Sequence, residues 1–237
     1  MSGEDVPLLW DGGDFFAVDK APGTLVIPGR GGGHGPSLRE RLETQLRHKV
    51  YVVHRLDQDT SGVLLFARTP SAHRELSLAF EHGLIRKVYQ ALVAGAMQEP
   101  QRVEVPLAPA RRGRMRPARG EGGKHALTVV RPVEAFADAT LVEAEPLTGR
   151  THQIRIHLQA VGHPLMVDPQ YGRSRPISAA DLGGEGDRAV LERTPLHAAL
   201  LEVPRLQGVE PVRLESPLPE DMAEALRLLR EGIRARR

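Results

Sequence analysis

The segment HRLDQDTSG, residues 54–62, places two carboxylates and two hydroxyls within one short stretch. Asp57, Asp59 and Ser61 match the first half of a calcium-binding EF-hand loop. That loop needs a bidentate glutamate at its twelfth position, where this chain has Arg68. The pattern therefore excludes calcium and leaves Asp57 as a carboxylate that could act as a base or a nucleophile.

Two other kinds of catalytic centre are poorly supported. His152, His157 and His163 are close in sequence, but on a helix the first two would lie about 140° apart, and on a strand they would face opposite ways. A shared metal ion is therefore not expected. Serine hydrolysis lacks a G-x-S-x-G elbow, and Ser61 has no obvious base beside it. On turn statistics alone, Asp57 is an ordinary turn aspartate.

Composition excludes several protein classes. The 237-residue chain contains no cysteine, which rules out disulfides, thiolate metal sites and thiol catalysis and suits a reducing cytosol. The acidic start MSGEDVPLLW is not a signal peptide, and no apolar run approaches the roughly 20 residues of a membrane span. A cytoplasmic protein without a membrane partner is predicted.

Positive charge is concentrated in one stretch, although the formal net charge is only +2. Such a cluster can neutralise RNA phosphates, and its alternative interpretation is a solvated basic loop. The glycine-rich segment 29–35 has neither the phosphate-loop nor the GxGxxG pattern, so its role is left open. The basic stretch comprises Arg111, Arg112, Arg114, Arg116, Arg119 and Lys124.

Local patterns predict the elements that must hold these residues. Ser37 and Glu40 have capping-box spacing before a helix, and Thr69 with Pro70 starts a second one that ends at Gly83. Alternating or β-branched runs predict strands, among them DFFAVDK, VLLFAR, KVYQALVAG, ALTVV, ATLVEAE and LHAALLEV.

The later part of the chain is predicted to contain two more helices. THQIRIHLQAVGHP alternates like a strand, but Thr151 as a cap and Gly162 as a stop favour a helix. The polar segment from Arg173 to Thr194 is interpreted as a long surface loop, and a last helix covers roughly Pro219 to Arg230. The order of elements predicts one α+β domain over 1–237, with a mixed, largely antiparallel central sheet flanked by helices.

The whole string HRLDQDTSGVLLFAR resembles the signature of the RluA-type pseudouridine synthases. DKAPG, RKVYQALVAG, PLTGRTHQIRIHLQAVGHPLMVDPQYG and PLHAALLEV resemble further blocks of that family, in family order from about Asp14 to Val203. The lysine motif departs from the family in having Ala21 before the proline, and the late block has Val167 where glycine is usual. The resemblance implies a form without the small N-terminal RNA-binding domain of many relatives, with the C-terminal strand and helix at about 204–237.

The resemblance implies a cofactor-independent isomerase that converts uridine to pseudouridine in structured rRNA or tRNA. Asp57 would be the catalytic carboxylate at the bottom of a basic cleft, by covalent attack or by proton abstraction from the sugar. Arg150 would keep it ionised, and Tyr89 would stack on the base. Leu196 would pack against the base; a core role is the alternative for Tyr89 and Leu196.

Substrate contacts are expected from residues of the same signature and from the basic stretch. His54, Arg55 and Thr60 lie in the signature, with Arg55 as the residue that fills the gap left by the extruded base, or forms a structural ion pair instead. Lys124, Arg112 and Arg114 would contact phosphates, and the protein is expected to be a monomer. The alternative functions are a non-catalytic RNA-binding or ribosome-assembly factor on the same fold, and a hydrolase that uses Asp59 as a second carboxylate.

Overall fold

The computed structural model describes residues 5–29, 35–118, 122–206 and 210–235. Its α-helices are α1 (Leu38–Leu46), α2 (Pro70–Glu81), α3 (Gln153–Ala160) and α4 (Glu220–Ala235). The strands of the first half of the chain are β1 (Leu8–Asp11), β2 (Phe15–Lys20), β3 (Tyr51–Val52), β4 (Ser61–Ala67), β5 (Arg86–Ala94), β6 (Gln101–Val103), β7 (Leu107–Pro109) and β8 (Met115–Pro117). The later strands are β9 (Thr128–Ala135), β10 (Ala139–Pro146), β11 (Ile177–Ser178), β12 (Ala189–Leu191), β13 (Leu196–Val203) and β14 (Val212–Glu215).

The chain divides into two compact units. The first contains Met1–Lys87 and Ala198–Pro217, and the second contains Val88–His197 and Leu218–Arg237. The combination of α-helices with a mostly antiparallel sheet confirms the predicted α+β fold class. The expectation of a single catalytic domain stays a prediction.

In the first unit, β2 pairs antiparallel with β1 on one side and β4 on the other, and β3 also pairs with β4. Every residue of β4 is buried, as expected for a strand made of apolar and small residues. The helix α2 packs Ala72, Leu76 and Ala79 onto a core that includes Val63 and Leu65. This packing fixes the strand that directly follows the carboxylate-bearing segment.

Both predicted helix starts in this unit are confirmed. Ser37 and Glu40 form a complete capping box at α1, with Oε2 of Glu40 accepting a hydrogen bond from the Ser37 backbone N at 2.9 Å. Thr69 caps α2 by accepting from the Ala72 backbone N at 3.2 Å, and Pro70 occupies the first turn.

In the second unit, β5, β10, β9 and β6 form an antiparallel array in that order. The helix α3 contributes Ile154 and Leu158 to a core with strand residues such as Val93. The helix α4 contributes Met222 and Leu226 to a second core. The apolar spacing predicted α4 correctly, although the helix extends beyond the expected end at Arg230 to Ala235.

The interpretation of the segment from Arg173 to Thr194 as a long surface loop was wrong. It contains β11, β12 and a short 3-10 turn, and Ile177, Leu182 and Leu191 are each at most 3% exposed. These scattered apolar residues join the same core as α4, while most other residues of the segment are exposed. Sparse apolar spacing without periodicity concealed this role.

The start of α3 also differs from the expectation. Residue His152, rather than Thr151, is the N-cap, and it adopts left-handed backbone angles with φ 55° and no side-chain cap. The first helical N–H, that of Gln153, bonds the Arg150 carbonyl oxygen at 3.1 Å, and the Gln153 side-chain Oε1 accepts from the Arg150 backbone N at 3.0 Å. The turn before the helix therefore satisfies this N–H without a side-chain cap, which the residue types alone did not predict.

Candidate active site

Asp57 lies in a turn between β3 and β4 in the first unit. The backbone N of Thr60 donates to the Asp57 carbonyl oxygen at 3.1 Å, which closes the turn. Asp57 is half-buried, Arg55 is exposed, and Thr60 is 2% exposed. The turn therefore presents a partly accessible carboxylate beside an exposed arginine and leaves Thr60 inside.

Lys20, the last residue of β2, is hydrogen-bonded to the backbone of this turn. Its side chain is fully buried, and Nζ donates to the carbonyl oxygens of Gln58 at 2.7 Å, Thr60 at 2.8 Å and Ala21 at 3.0 Å. An ammonium has three protons, so these acceptors fully satisfy it and offset part of its desolvation cost. The carbonyls on either side of Asp59 are thus fixed by one cation.

Lys20 belongs to the DKAPG motif, but the sequence predicted no role for it. The signal that could have revealed it is a lysine at the end of a strand whose other residues are nearly all buried. A lysine in that position is rarely fully buried unless it has defined partners. A second bond strengthens the same connection, since Nε2 of Gln58 donates to the Gly23 carbonyl at 3.1 Å.

Gly62 is the second fixed point of the turn, at the start of β4. Its φ is +109°, and a Cβ added there would lie 2.3 Å from the carbonyl oxygen of Ala198. Backbone atoms cannot move aside as a flexible side chain can, so this position requires glycine. The glycine brings the turn close to β13 within the first unit.

His54 is held as a support for β4. Its Nε2 accepts a hydrogen bond from the Leu65 backbone N at 3.1 Å, and its ring stacks on Phe80 with centroids 4.4 Å apart. Burial, together with the nearby charge of Lys87, lowers the pKa of His54 to about 3. The imidazole is therefore neutral with its proton on Nδ1, and its predicted role as a substrate contact stays a prediction.

The lowered pKa of His54 makes stability depend on pH. In the unfolded chain this group takes up a proton below about pH 6.5, whereas the folded chain resists protonation down to about pH 3. We expect the free energy of unfolding to fall as the pH drops from 6.5 towards 3, by up to about 1.4 kcal/mol per pH unit. Urea unfolding at several pH values measures the slope, and His54→Gln should make it shallower. Equal slopes in both proteins would contradict the assignment.

In the second unit, Tyr89 and Leu196 belong to one apolar cluster. Tyr89 lies on β5 opposite Ala144 of β10 and is half-buried. Leu196 is 4% exposed in the core against which Tyr89 packs. The structure therefore brings these two predicted base contacts together, with Leu196 inside the core.

Arg150 is exposed, and its turn is firmly anchored within the second unit. Its Nε donates to the His125 carbonyl oxygen at 3.0 Å. Gln153, whose Oε1 accepts from the Arg150 backbone N, is buried and donates from Nε2 to the Leu127 carbonyl oxygen and to Thr128 Oγ1, both at 3.0 Å. This amide therefore orients the turn that carries Arg150, a role that the sequence pattern did not reveal.

The first part of the basic stretch, from Arg111 to Arg116, lies in a β-hairpin formed by β7 and β8. β7 and β8 pair antiparallel, and Ala110 N bonds the Arg114 carbonyl oxygen at 2.8 Å across the tip. Arg111, Arg114 and Arg116 are exposed, as is Lys124, whose backbone pairs with Leu107 of β7. The side chain of Arg112 and the whole of Arg119 lie outside the described residues.

The histidines considered for metal binding have other partners. His157 bonds Thr128 Oγ1 and the Val105 carbonyl, and His163 bonds the Ala94 carbonyl. Within the described ranges, no group of three or more potential ligands could hold a metal ion. In the same part of the chain, no helix combines the length and apolar character needed to cross a membrane.

Comparison with known proteins assigns the chain to a family. The family described as RNA pseudouridylate synthase matches residues 14–160. Ribosomal large subunit pseudouridine synthase D of Nitrosomonas europaea is 38% identical over 96% of this chain and 67% of its own length. Ribosomal large subunit pseudouridine synthase C of Vibrio cholerae is 34% identical over 95% of this chain and 70% of its own. The chain therefore belongs to the RNA pseudouridylate synthase family, as its motifs predicted.

Solved structures with a similar fold are also pseudouridylate synthases. The solved structure of human RNA pseudouridylate synthase domain containing 4 superposes with a TM-score of 0.76 at 24% identity, over 94% of this chain and 92% of that one. At this identity the likeness concerns the fold. Family membership makes the protein an RNA pseudouridine synthase of the isomerase class.

Proposed function

We propose that this protein converts uridine to pseudouridine in ribosomal RNA, with Asp57 as the catalytic carboxylate. The observation that carries the proposal is the geometry of the Asp57 turn. Lys20 holds it through two of its carbonyls, Thr60 closes it, and Gly62 fixes where it ends. A half-buried carboxylate on a rigid turn is preorganised for chemistry on a bound nucleoside.

The reaction balances without a cofactor. The bond between ribose C1′ and base N1 breaks, the base rotates, and a new bond forms between C1′ and C5. The proton on C5 leaves and N1 gains one, so no net electrons or atoms are transferred. Asp57 either attacks C1′ or removes a proton from C2′, and both routes need an ionised carboxylate.

Family resemblance supplies the remaining roles. Arg150 is assigned as the cation that keeps the carboxylate ionised, and Tyr89 as the residue that stacks on the base and assists proton transfer at C5. The base of a folded RNA must be extruded from its stack to react. Exposed Arg55, two residues before Asp57, suits the gap that the base leaves.

The ribosomal target is drawn from the relatives, two of which are named for the large ribosomal subunit. Transfer RNA is the other target that the sequence suggested. We also propose that the protein acts as a cytoplasmic monomer, with one catalytic domain, and without a metal or cofactor.

Pseudouridine mapping in cells that lack the gene tests the proposal. Total RNA is compared after complementation with wild type or with Asp57→Asn. We expect one or a few uridines, in large-subunit RNA, to be modified only when wild type is supplied. A site in tRNA would redirect the substrate assignment. No change at any site, together with no activity of purified protein on unmodified RNA, would favour the non-catalytic RNA-binding function.

The exposed arginines of the hairpin should contribute phosphate contacts. Replacing Arg111, Arg114 and Arg116 together with serine is expected to weaken RNA binding at least about tenfold. The slope of log affinity against log salt concentration should also decrease in magnitude by up to about 3, roughly one for each lost phosphate contact. Filter binding or fluorescence anisotropy across a salt titration measures both quantities.

The matched control removes the same number of exposed arginines from ion pairs elsewhere. Arg205, Arg213 and Arg227 are bonded to Glu210, Glu202 and Glu231, respectively. Their replacement with serine should leave the salt dependence near the wild-type value, because each is already neutralised by a carboxylate. An equal loss in both triple variants would show that only overall charge matters and would refute a specific role for the hairpin.

A further inference from the structure

Tyr171 connects the basic hairpin to the beginning of α3. Its hydroxyl accepts a hydrogen bond from the Met115 backbone N at 2.9 Å, and Met115 is the first residue of β8. The same hydroxyl lies 2.7 Å from Nδ1 of His152, the residue that precedes α3. One oxygen therefore bridges two segments that are far apart in sequence.

The position of Tyr171 is fixed by a buried ion pair. Arg155 and Asp168 are 7% and 1% exposed and bond each other twice, at 2.7 and 2.8 Å. Asp168 Oδ1 also accepts from the backbone N of Gln170 and of Tyr171, at 3.0 and 3.1 Å. The Arg155 guanidinium lies 5.0 Å from the centre of the Tyr171 ring. The phenol is thus attached rigidly to α3.

The direction of the two hydrogen bonds follows from the chemistry of the groups. A phenol has one proton and two lone pairs, and the Met115 N–H occupies one lone pair. Its proton is then available for Nδ1 of His152, which accepts it when the imidazole carries its own proton on Nε2. This bond supports His152 in left-handed backbone angles, which cost a non-glycine residue roughly 1–2 kcal/mol.

The hairpin has reason to need such an attachment. Its two strands have three residues each, and an isolated two-stranded ribbon is at best marginally stable in water. Met115 stands between Arg114 and Arg116, two of the exposed cations. A hydrogen bond at the Met115 backbone therefore fixes the segment from which the Arg114 and Arg116 side chains project.

We propose that Tyr171 is a positioning residue that holds the basic hairpin against the start of α3, and so sets the geometry of RNA contact relative to the turn of Arg150. This inference rests on the proposed RNA-modifying function. It adds a residue that touches neither RNA nor the reacting atoms and acts through Met115 and His152. The hydroxyl performs this role, while the ring packs against the buried cluster of Leu107, Ala126 and Ile156.

Tyr171→Phe tests the proposal, because it keeps the ring and removes only the hydroxyl. Loss of a hydrogen bond of ordinary strength corresponds to about a threefold to tenfold change in an equilibrium. We expect amide exchange at Met115 and trypsin cleavage after the hairpin arginines to become faster by at least that factor. We expect KM for a long structured RNA to rise by a similar factor, with kcat within about twofold of wild type.

Two controls separate positioning from general loosening. Tyr51→Phe removes the hydroxyl of a partly buried tyrosine in the first unit and should change none of these quantities. A stem-loop too short to reach the hairpin should show the same KM with Tyr171→Phe as with wild type. A merely structural defect would raise KM for both RNAs.

The outcomes decide between the proposal and its alternatives. Unchanged exchange at Met115 in Tyr171→Phe would overturn the attachment, whatever the kinetics. Faster exchange with an unchanged KM for long RNA would overturn the link to RNA contact. If wild type binds RNA but forms no pseudouridine, the proposed reaction fails. The dissociation constants of the long RNA and the short stem-loop, measured for wild type and Tyr171→Phe in place of KM, then decide the role of Tyr171.

Discussion

Asp57→Asn is expected to lower the rate of pseudouridine formation by at least about 10³-fold, since the amide is neither a nucleophile nor a base. The substitution conserves shape, and the hydrogen bond that closes the turn uses the Asp57 backbone carbonyl, which asparagine retains. The fold and RNA affinity should therefore stay close to wild type. Single-turnover assays on transcribed RNA measure the rate, and thermal unfolding checks the fold.

Asp59→Asn is the matched control, because it makes the same change two residues away in the same turn. It should keep activity within about tenfold of wild type, since a supporting residue contributes less than a reacting one. Equal loss from both variants would favour the hydrolase-type use of two carboxylates. A loss of fold in Asp57→Asn would identify Asp57 as a structural aspartate.

Gly62→Ala is expected to reduce the free energy of unfolding by about 3–5 kcal/mol. The new methyl group would meet the Ala198 carbonyl oxygen at 2.3 Å, so overpacking against backbone adds to the strain of a positive φ. Any protein that folds should also have a displaced Asp57 turn and low activity. Urea denaturation gives the stability change.

Gly13→Ala is the control that separates the strain of a positive φ from the steric contact with Ala198. Gly13 lies in the same unit with φ +82°, and nothing lies within 4 Å of an added Cβ. Its cost should be only about 1–2 kcal/mol, and activity should be retained. If the two alanine variants lose equal stability, close approach to Ala198 is not what requires glycine at position 62.

Local signals predicted local structure well. The capping box at Ser37 and the Thr69–Pro70 start were readable because the bonds span only a few residues. The Thr151 cap was wrong because the Gln153 N–H bonds the Arg150 carbonyl in a turn, and the Gln153 side chain holds that turn through Leu127 and Thr128, more than twenty residues away. Hydrogen bonds between residues so far apart in sequence depend on the folded arrangement, and the local spacing of residues does not reveal them.

The sequence predicted the candidate site residues, but it did not predict the residues that hold them in place. Motifs identified Asp57, Tyr89 and Arg150, and their joint catalytic role stays a prediction. The supports were missed for a physical reason: Lys20 bonds backbone carbonyls, and Tyr171 bonds the Met115 backbone N–H as well as the His152 side chain, so the backbone partners have no residue-type signature. The hairpin was missed because glycine, proline and arginine in residues 107–117 suggested an irregular loop.

The burial of Lys20 also affects which amines of this protein can be chemically modified. The chain has four lysines, of which Lys49 and Lys124 are exposed and Lys20 is wholly enclosed. Acylation of an amine requires a free lone pair and access for the acyl donor, and three carbonyl acceptors deny both to Lys20 in the folded protein. Acetyl groups can therefore accumulate at Lys49 and Lys124 while the Asp57 turn keeps its cation, and an acetylated Lys20 would mark a chain that was modified before it folded.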